Sequence, residues 1–336
     1  MITISACLIV KNEEQVLERC LKSLQGIYDE LIIVDTGSTD RTKEIAYRYT
    51  DLVYDFTWVN DFAAARNYLF SKATMDYIYV ADADEVLEPE ERLKFLQLKQ
   101  VLLPEIEIVQ MHYSNQLKYN TTYNYDMEYR PKLYKRLRTF VWTDPVHESV
   151  ILEPIVFDSD IIISHRPTSN HGERDFKLFQ QTIKRDGRLS KKLQMMYARE
   201  LYIAGTEKDF DDAYEYFQSL MEEVSDQQQL RQIYPVLMRC ARLREDVVAF
   251  LSYSTKALAG ELSSSEVCYE LGEFYYTKEL WQEAILWFYN AAYECESELN
   301  INYHKGIPLA RLADCYGKMG NLEDESYYRG LVADCD

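Results

Sequence analysis

An apolar segment that runs directly into an acidic turn is the most informative stretch of the sequence, and it reads Tyr77-Ile78-Tyr79-Val80-Ala81-Asp82-Ala83-Asp84-Glu85. Its first five residues are typical of a hydrophobic strand. The two aspartates at alternate positions of the turn can hold one hard divalent cation, because Mg²⁺ and Mn²⁺ prefer oxygen ligands. Paired aspartates are also common in solvated turns, so the interpretation depends on the surrounding sequence.

Strand and helix patterns alternate around this segment. Strands are predicted at 4–10, 30–34 and 52–54 before it, and at 105–113, 132–136, 150–157 and 161–164 after it. Helices are predicted between them, the first capped by Asn12 with Gln15 and a later one starting near Pro89. This order predicts an α/β fold, with a mostly parallel sheet and helices on both faces.

Polar residues follow the predicted strands at the point where each strand ends. Asn12 follows the first strand, Asp35 the second, and Asp82 and Asp84 the fourth. Ligands of such sheets bind outside the carboxyl ends of the strands, so these residues should meet at one edge. A last strand ends at His165, and the Tyr-rich segment 114–129 is predicted to be a loop over the site. Its tyrosines could form a flap over a bound molecule or simply pack on the domain.

The second half of the chain has a different pattern, with one predicted helix after another from about Asp175. The clearest part is 268–292, where Leu271, Gly272, Tyr275, Ala284, Phe288 and Ala291 follow the order of a tetratricopeptide repeat. Three or four helical hairpins stacked into a short solenoid are therefore expected. The predicted domains are 1–172, the α/β domain, and 173–336, the helical repeats.

Composition excludes several classes of function. The formal net charge of the 336 residues is -19, which disfavours nucleic acids and anionic membranes as partners. The seven cysteines show no zinc-binding spacing, and their odd number favours a reducing compartment. The first apolar stretch is a strand rather than a signal peptide, and no apolar run reaches the roughly 20 residues of a membrane span. A soluble, cytoplasmic protein without an integral membrane segment is expected.

The polar clusters together resemble a known family. Their order is Ile9-Val10-Lys11-Asn12-Glu13, Ile33-Val34-Asp35-Thr36-Gly37-Ser38-Thr39-Asp40, Phe62-Ala63-Ala64-Ala65-Arg66-Asn67 and Val80-Ala81-Asp82-Ala83-Asp84-Glu85. This half of the chain closely resembles the family 2 glycosyltransferases of the A-type nucleotide-diphospho-sugar transferase fold. Three later motifs, Arg130-Pro131-Lys132-Leu133-Tyr134, Val146-His147-Glu148 and His165, resemble the subgroup with tetratricopeptide repeats, which includes the sublancin-type peptide S-glycosyltransferases.

The resemblance implies roles in nucleotide binding. Asp35 is expected to contact the uracil or ribose, although a turn-capping role would also suit it. Asn12 and Glu13 are expected near the same base, with a purely capping role for Asn12 as the alternative. Arg66 is expected to steady a phosphate. Arg130 would face the diphosphate or pair with a surface acid.

The resemblance also implies a metal site and a catalytic base. Asp84 would be the direct ligand of Mn²⁺ or Mg²⁺, and Asp82, with Ala83 beside it, would contact ribose or metal. His165 would bind the metal or diphosphate, or be structural. His147 or Glu148 would take the proton of the acceptor, and the sequence does not choose between them.

The implied reaction is the transfer of a hexose, with inversion, from a nucleotide-diphosphate sugar, expected to be a UDP-hexose. A peptide or protein side chain is the first choice of acceptor, because helical repeats form peptide-binding grooves. The alternatives are surface polysaccharide or glycolipid assembly and, in another class, a repeat scaffold with a vestigial sugar-nucleotide domain. The repeats could also form a homodimer. No GxGxxG motif follows the first strand, which disfavours a dinucleotide oxidoreductase.

Overall fold

The computed structural model describes residues 1–114, 127–137, 142–143, 149–150, 153–166, 172–260 and 263–333. These residues form two compact units, one extending to residue 166 and the other starting at residue 172. None of the helices in these ranges is both long and apolar enough to cross a bilayer.

The first unit is built on one large mixed sheet. Its strands are β1 (Ile4–Val10), β2 (Glu30–Asp35), β3 (Val53–Asp55), β4 (Tyr77–Ala81), β5 (Glu85–Val86), β6 (Ile108–Ser114), β7 (Glu128–Lys135) and, after the two-residue strands β8 (Trp142–Thr143) and β9 (Ser149–Val150), β10 (Val156–His165). The order across the sheet is β3-β2-β1-β4-β7-β6-β10-β5, and β8 pairs with β9 separately. Only β7 and β5 of this sheet run antiparallel to their neighbours. The predicted mostly parallel sheet is confirmed.

Helices cover both faces of the sheet, as predicted. They are α1 (Leu17–Ser23), α2 (Thr42–Tyr47), α3 (Phe62–Phe70) and α4 (Pro89–Val101). Side chains of β1 alternate between two cores because successive residues of a strand point to opposite faces. Leu8 packs in the core formed with α1, α2 and α4, whereas Cys7 packs in the core that contains Leu69 of α3.

The predicted cap of the first helix is wrong. α1 begins at Leu17, and neither Asn12 nor Gln15 caps it. Asn12 instead adopts a left-handed conformation with φ of 56°, which asparagine tolerates better than most residues. Its side-chain oxygen accepts the backbone N–H of Thr39 at 2.8 Å, and its own N–H donates to Ser38 Oγ at 2.9 Å. Asn12 therefore ties the loop after β1 to the loop after β2.

Several strands also differ from the prediction in their bounds or their existence. β7 begins at Glu128 and passes through Pro131, which obscured its first half in the sequence. β10 is one strand with a bulge between Asp158 and Ile162, where the polar residues had suggested a break. The two-residue strand β5, which pairs with the end of β10, was not predicted.

The second unit is entirely helical in the described ranges. It contains α5 (Gly172–Asp186), α6 (Lys191–Ala204), α7 (Glu207–Glu223), α8 (Gln227–Leu243), α9 (Val247–Ala259), α10 (Ser265–Tyr276), α11 (Trp281–Tyr293), a 3-10 turn (Ile301–His304), α12 (Gly306–Lys318) and α13 (Leu322–Ala333). The pairs α8–α9, α10–α11 and α12–α13 pack as successive hairpins. The helical-repeat prediction is confirmed, and the segment singled out in the sequence corresponds to α10 and α11.

One glycine sets the distance between α10 and α11. A Cβ atom added to Gly272 would lie 2.5 Å from ring atoms of Phe288, which is fully buried on α11. The two helices therefore approach more closely than any larger residue would permit. Gly330 on α13 has no atom within 4 Å of the corresponding position, so it provides a matched control.

We expect the Gly272→Ala variant to lower the free energy of unfolding by about 1–2 kcal/mol, because overpacking outweighs the gain in helix propensity. Gly330→Ala should raise it by about 0.5–1 kcal/mol, since only the propensity changes. Urea unfolding followed by far-ultraviolet circular dichroism measures both. Equal effects of the two substitutions would contradict the close approach at Gly272.

Candidate functional site

The ends of several strands meet at one edge of the sheet, as predicted. β1, β2, β4, β6 and β10 run in the same direction, so their carboxyl ends share this edge. β7 runs the opposite way and brings its amino-terminal half to the same place. Asp35, the Asp82–Glu85 turn and His165 are therefore assembled from β2, β4 and β10, and Arg130 and Lys132 are contributed by β7.

Asp35 is buried, with 1% of its surface exposed. Its Oδ1 accepts the backbone N–H groups of Gly37 and Ser38, both at 2.9 Å. The turn requires glycine at position 37, where φ is 104°. Oδ2 of Asp35 is also buried and has no hydrogen-bond partner among the described residues. One oxygen thus builds the turn, and the other is a buried acceptor that a ligand or a water molecule can satisfy.

Glu13 lies beside Asn12 in the loop after β1. Its backbone N–H donates to Thr42 Oγ1 at 2.7 Å, at the start of α2. Both residues therefore link the loops that follow β1 and β2. These contacts stabilise the two loops, which is a structural role in addition to the predicted position of both residues near the nucleotide base.

Asp84 and His165 lie together although 81 residues separate them. Nε2 of His165 is 3.1 Å from Oδ2 of Asp84, and the two side chains are 11% and 16% exposed. The register of β5 against β10, which pairs Glu85 with His165, produces this contact. The backbone N–H of Arg166 also donates to the carbonyl of Asp84 at 2.9 Å. A carboxylate oxygen and an imidazole nitrogen are thus neighbours at this edge of the sheet.

Asp82 is more accessible than Asp84, with half of its side chain exposed. Nζ of Lys132 lies 3.8 Å from its Oδ2. Its partial desolvation would by itself raise the pKa of Asp82, but the positive charges of Lys132 and Arg66 outweigh this effect and hold that pKa below its ordinary value. Arg66, half-buried on α3, therefore acts electrostatically on the acidic turn, as a phosphate-steadying residue at this edge would.

A buried, hydrogen-bonded lysine and glutamate lie next to this turn and were not predicted from the sequence. Lys132 Nζ donates to Glu85 Oε1, and both side chains are almost fully buried. Burial, with the negative charge of Asp82, raises the pKa of Glu85 to about 8 against the opposing effect of Lys132. The available signal was a lysine between Pro131 and Leu133 in a strand entering a buried sheet, since a lysine there needs an acidic partner.

Arg130 has an acidic partner in the protein. Its Nε donates to Glu128 Oε1 at 2.6 Å, and its guanidinium lies 3.9 Å from the ring centroid of Tyr113. The ring of Tyr113 in turn lies 5.1 Å from that of His165. Tyr113 thus connects Arg130 to the Asp84–His165 pair, a role that the sequence did not suggest.

The two candidate bases, His147 and Glu148, lie outside the described residues. The same is true of Tyr119, Tyr123 and Tyr125 of the predicted flap. Tyr129 is described and stacks on His112 at 4.1 Å between ring centroids, which agrees with simple packing.

The side chains of Asp84 and His165 could supply part of the coordination sphere of a divalent cation, and other ligands would have to complete it. Within the described ranges, no three His, Cys, Asp or Glu side chains lie close enough together to hold a metal ion by themselves. Asp84 and His165 supply an oxygen and a nitrogen atom, and Asp82 adds negative charge. A cation bound here would take its remaining ligands from water and a diphosphate, as Mg²⁺ commonly does.

Comparison with known proteins agrees with this geometry. Residues 5–150 match the model of the glycosyl transferase family 2. The TPR repeat-containing protein Synpcc7942_0270 of Synechococcus elongatus is 47% identical over 87 residues, which are 26% of this chain and 22% of that protein. The SPbeta prophage-derived glycosyltransferase SunS of Bacillus subtilis is 35% identical over 103 residues, which are 30% of this chain and 24% of that protein.

The chain thus spans about a quarter of the length of these curated relatives. Among solved structures, glucosyl-3-phosphoglycerate synthase from Mycobacterium tuberculosis, in complex with Mg²⁺ and UDP, aligns at 16% identity with a TM-score of 0.39, covering 56% of this chain and 81% of that one. The family match and the arrangement of the strand-end residues lead to one conclusion: the amino-terminal unit is a glycosyl transferase family 2 domain, and a unit of tetratricopeptide-like helical repeats follows it.

Proposed function

We propose that the protein is a metal-dependent, inverting glycosyltransferase that moves a hexose from a UDP-linked sugar to a peptide or protein side chain. The observation that carries the proposal is the meeting, at one sheet edge, of a buried unsatisfied carboxylate oxygen on Asp35 with the Asp84–His165 pair. The first suits a nucleoside and the second suits a cation that binds a diphosphate.

Asp35 supports the nucleoside end of the proposed donor. A carboxylate accepts hydrogen bonds, and uracil N–H and ribose hydroxyls can donate them. A buried acceptor without a partner is costly, so a donor from the ligand would be bound selectively. Asn12 and Glu13 stand next to the same turn and fix its position through the loop after β1.

The negative charge of Asp82 and Asp84 implies that a cation is needed where the diphosphate of the donor would bind. A diphosphate that approached Asp82 and Asp84 alone would meet like charge, and the net charge of -19 adds to the repulsion. Mg²⁺ or Mn²⁺ held by Asp84 and His165 would neutralise the charge that develops on the departing UDP. Arg66 lies on α3 at the same edge and would contribute a further positive charge.

The remaining chemistry is acceptor activation. An inverting transfer requires one group to take the acceptor proton during attack on the anomeric carbon, and His147 or Glu148 is proposed for that step. The acceptor itself is proposed from the second unit, since helical repeats present extended surfaces that bind peptides. The division into a catalytic domain, 1–172, and a repeat domain, 173–336, is part of this proposal.

We expect the protein to bind UDP at least about tenfold more tightly with Mn²⁺ or Mg²⁺ than with EDTA, because the cation reverses the local sign of charge. Titration calorimetry with and without metal measures the difference directly. Equal affinity under both conditions would mean that Arg66 and Arg130 neutralise the diphosphate, and the metal role of Asp84 would be wrong.

The Asp84→Asn variant should lose sugar transfer and the metal-dependent gain in UDP affinity, while remaining folded. It keeps the shape of the side chain and removes one of three neighbouring negative charges, so its melting temperature should hardly change. Asp160→Asn is the matched control, since Asp160 is an exposed residue in the middle of β10. UDP release from a UDP-hexose, followed with both variants, is the measurement. Near-normal turnover by Asp84→Asn would refute the assignment.

Either Glu148→Gln or His147→Ala should abolish transfer while leaving UDP affinity within about twofold of the wild type, because a base acts on the acceptor and not on the donor. Single-turnover transfer and calorimetry on the two variants separate chemistry from binding. If both variants transfer sugar at the normal rate, the base lies elsewhere.

A further inference from the structure

A bulge in β7 gives Lys132 an exceptional position. Val109 of β6 pairs with Leu133, whereas the next residue, Gln110, pairs with Pro131, so Lys132 is the extra residue in β7. On the other side, the pairing of β7 with β4 ends at Leu133 and Tyr79. Proline cannot donate a ladder hydrogen bond and in a central strand occurs at bulges. A bulge re-aims a side chain, and here the re-aimed side chain is a lysine.

The re-aimed side chain of Lys132 enters the acidic turn. It is 5% exposed, and its ammonium group bonds to Glu85, lies 3.8 Å from Asp82 and lies 5.2 Å from the ring centroid of Tyr113. These three residues surround the lysine from β5, the turn after β4, and β6. Lys132 therefore contacts the Asp82–Glu85 turn. It would not bind a metal ion itself, because its ammonium group is positively charged.

Glu85 transmits this contact to the ligands. Its backbone N–H donates to the carbonyl of Asp82 at 3.1 Å, which closes the turn that contains Asp84. Its backbone also pairs with His165 in the two-residue ladder between β5 and β10. A displacement of Glu85 would therefore move Asp84 relative to His165.

We propose that Lys132 is a positioning residue, which holds the Asp82–Glu85 turn through Glu85 so that Asp84 and His165 face the same cation. The proposal rests on the proposed function, because it assumes that this pair binds a metal. Lys132 and Glu85 themselves touch neither metal nor donor in this scheme.

The direction of the effect separates positioning from simple charge balance. If Lys132 acted only as a counter-charge, its removal would leave the turn more negative and would strengthen the binding of a cation. If it positions the turn, its removal weakens that binding. Residues that support metal ligands from behind typically change metal affinity by about 10- to 100-fold when replaced.

The test compares Lys132→Met with Lys135→Met. Lys135 lies at the far end of the same strand and bonds to the carbonyl of Pro104, so it controls for the loss of a lysine from β7. Because the single variant leaves Glu85 buried without its partner and can fail to fold, the double variant Glu85→Gln/Lys132→Met, which removes both charges, is measured beside it. UDP affinity is determined with Mn²⁺ and with EDTA, and hydrogen exchange is followed for the amides of 82–86.

We expect the Mn²⁺-dependent part of the UDP affinity to fall by about 10- to 100-fold in the Lys132 variants, with the affinity in EDTA unchanged and the 82–86 amides exchanging faster. Lys135→Met should behave as the wild type in both assays. Unchanged or tighter Mn²⁺-dependent binding in the double variant would overturn the proposal, as would unchanged exchange of the turn. If the wild type binds UDP equally with and without metal, the proposed function fails, and the exchange result alone decides whether Lys132 holds the turn.

Discussion

Repulsion between like charges at the end of β4 is the constraint on which the site depends. Asp82, Asp84 and Glu85 fall within four residues of a buried strand, and carboxylates in such an environment must be paired or become protonated. The fold supplies a hydrogen bond from Lys132 for Glu85, a contact with His165 for Asp84, and the combined positive charges of Lys132 and Arg66 for Asp82. Hydrogen bonds to Lys132 and His165 thereby fix the turn, and the nearby positive charges favour the ionised form of Asp82.

The mixed topology of the sheet makes this compensation possible. In a purely parallel sheet, every strand would bring its carboxyl end to the edge where the ligand binds. β7 lies between β4 and β6 in the opposite direction, so the amino-terminal half of a strand reaches this edge and carries Arg130 and Lys132 with it. Two cations on a stiff strand can be placed more accurately than cations on a loop.

Features that depend on a local sequence pattern could be predicted from the sequence. Contacts between residues far apart in the chain could not. The first four strands and the meeting of Asp35, Asp84 and His165 follow from hydrophobic runs and from the rule that strand ends share an edge. The Lys132–Glu85 pair joins residues 47 positions apart through a bulge, and no periodicity encodes such a contact. The same holds for β5, which is too short to show a pattern and exists only because β10 pairs with it. The cap predicted at Asn12 was wrong because an asparagine side chain can accept a hydrogen bond from a neighbouring loop as readily as from the start of a helix.

The unsatisfied oxygen of Asp35 has a consequence for how the ligand-free protein is built. A buried acceptor without a donor costs about 1–3 kcal/mol, a large share of the 5–15 kcal/mol by which a folded protein is usually stable. Without a donor to this oxygen, the ligand-free protein would be less stable by about that amount. A nucleoside that donates a hydrogen bond to this oxygen would restore the lost stability, so its binding would also raise the free energy of unfolding.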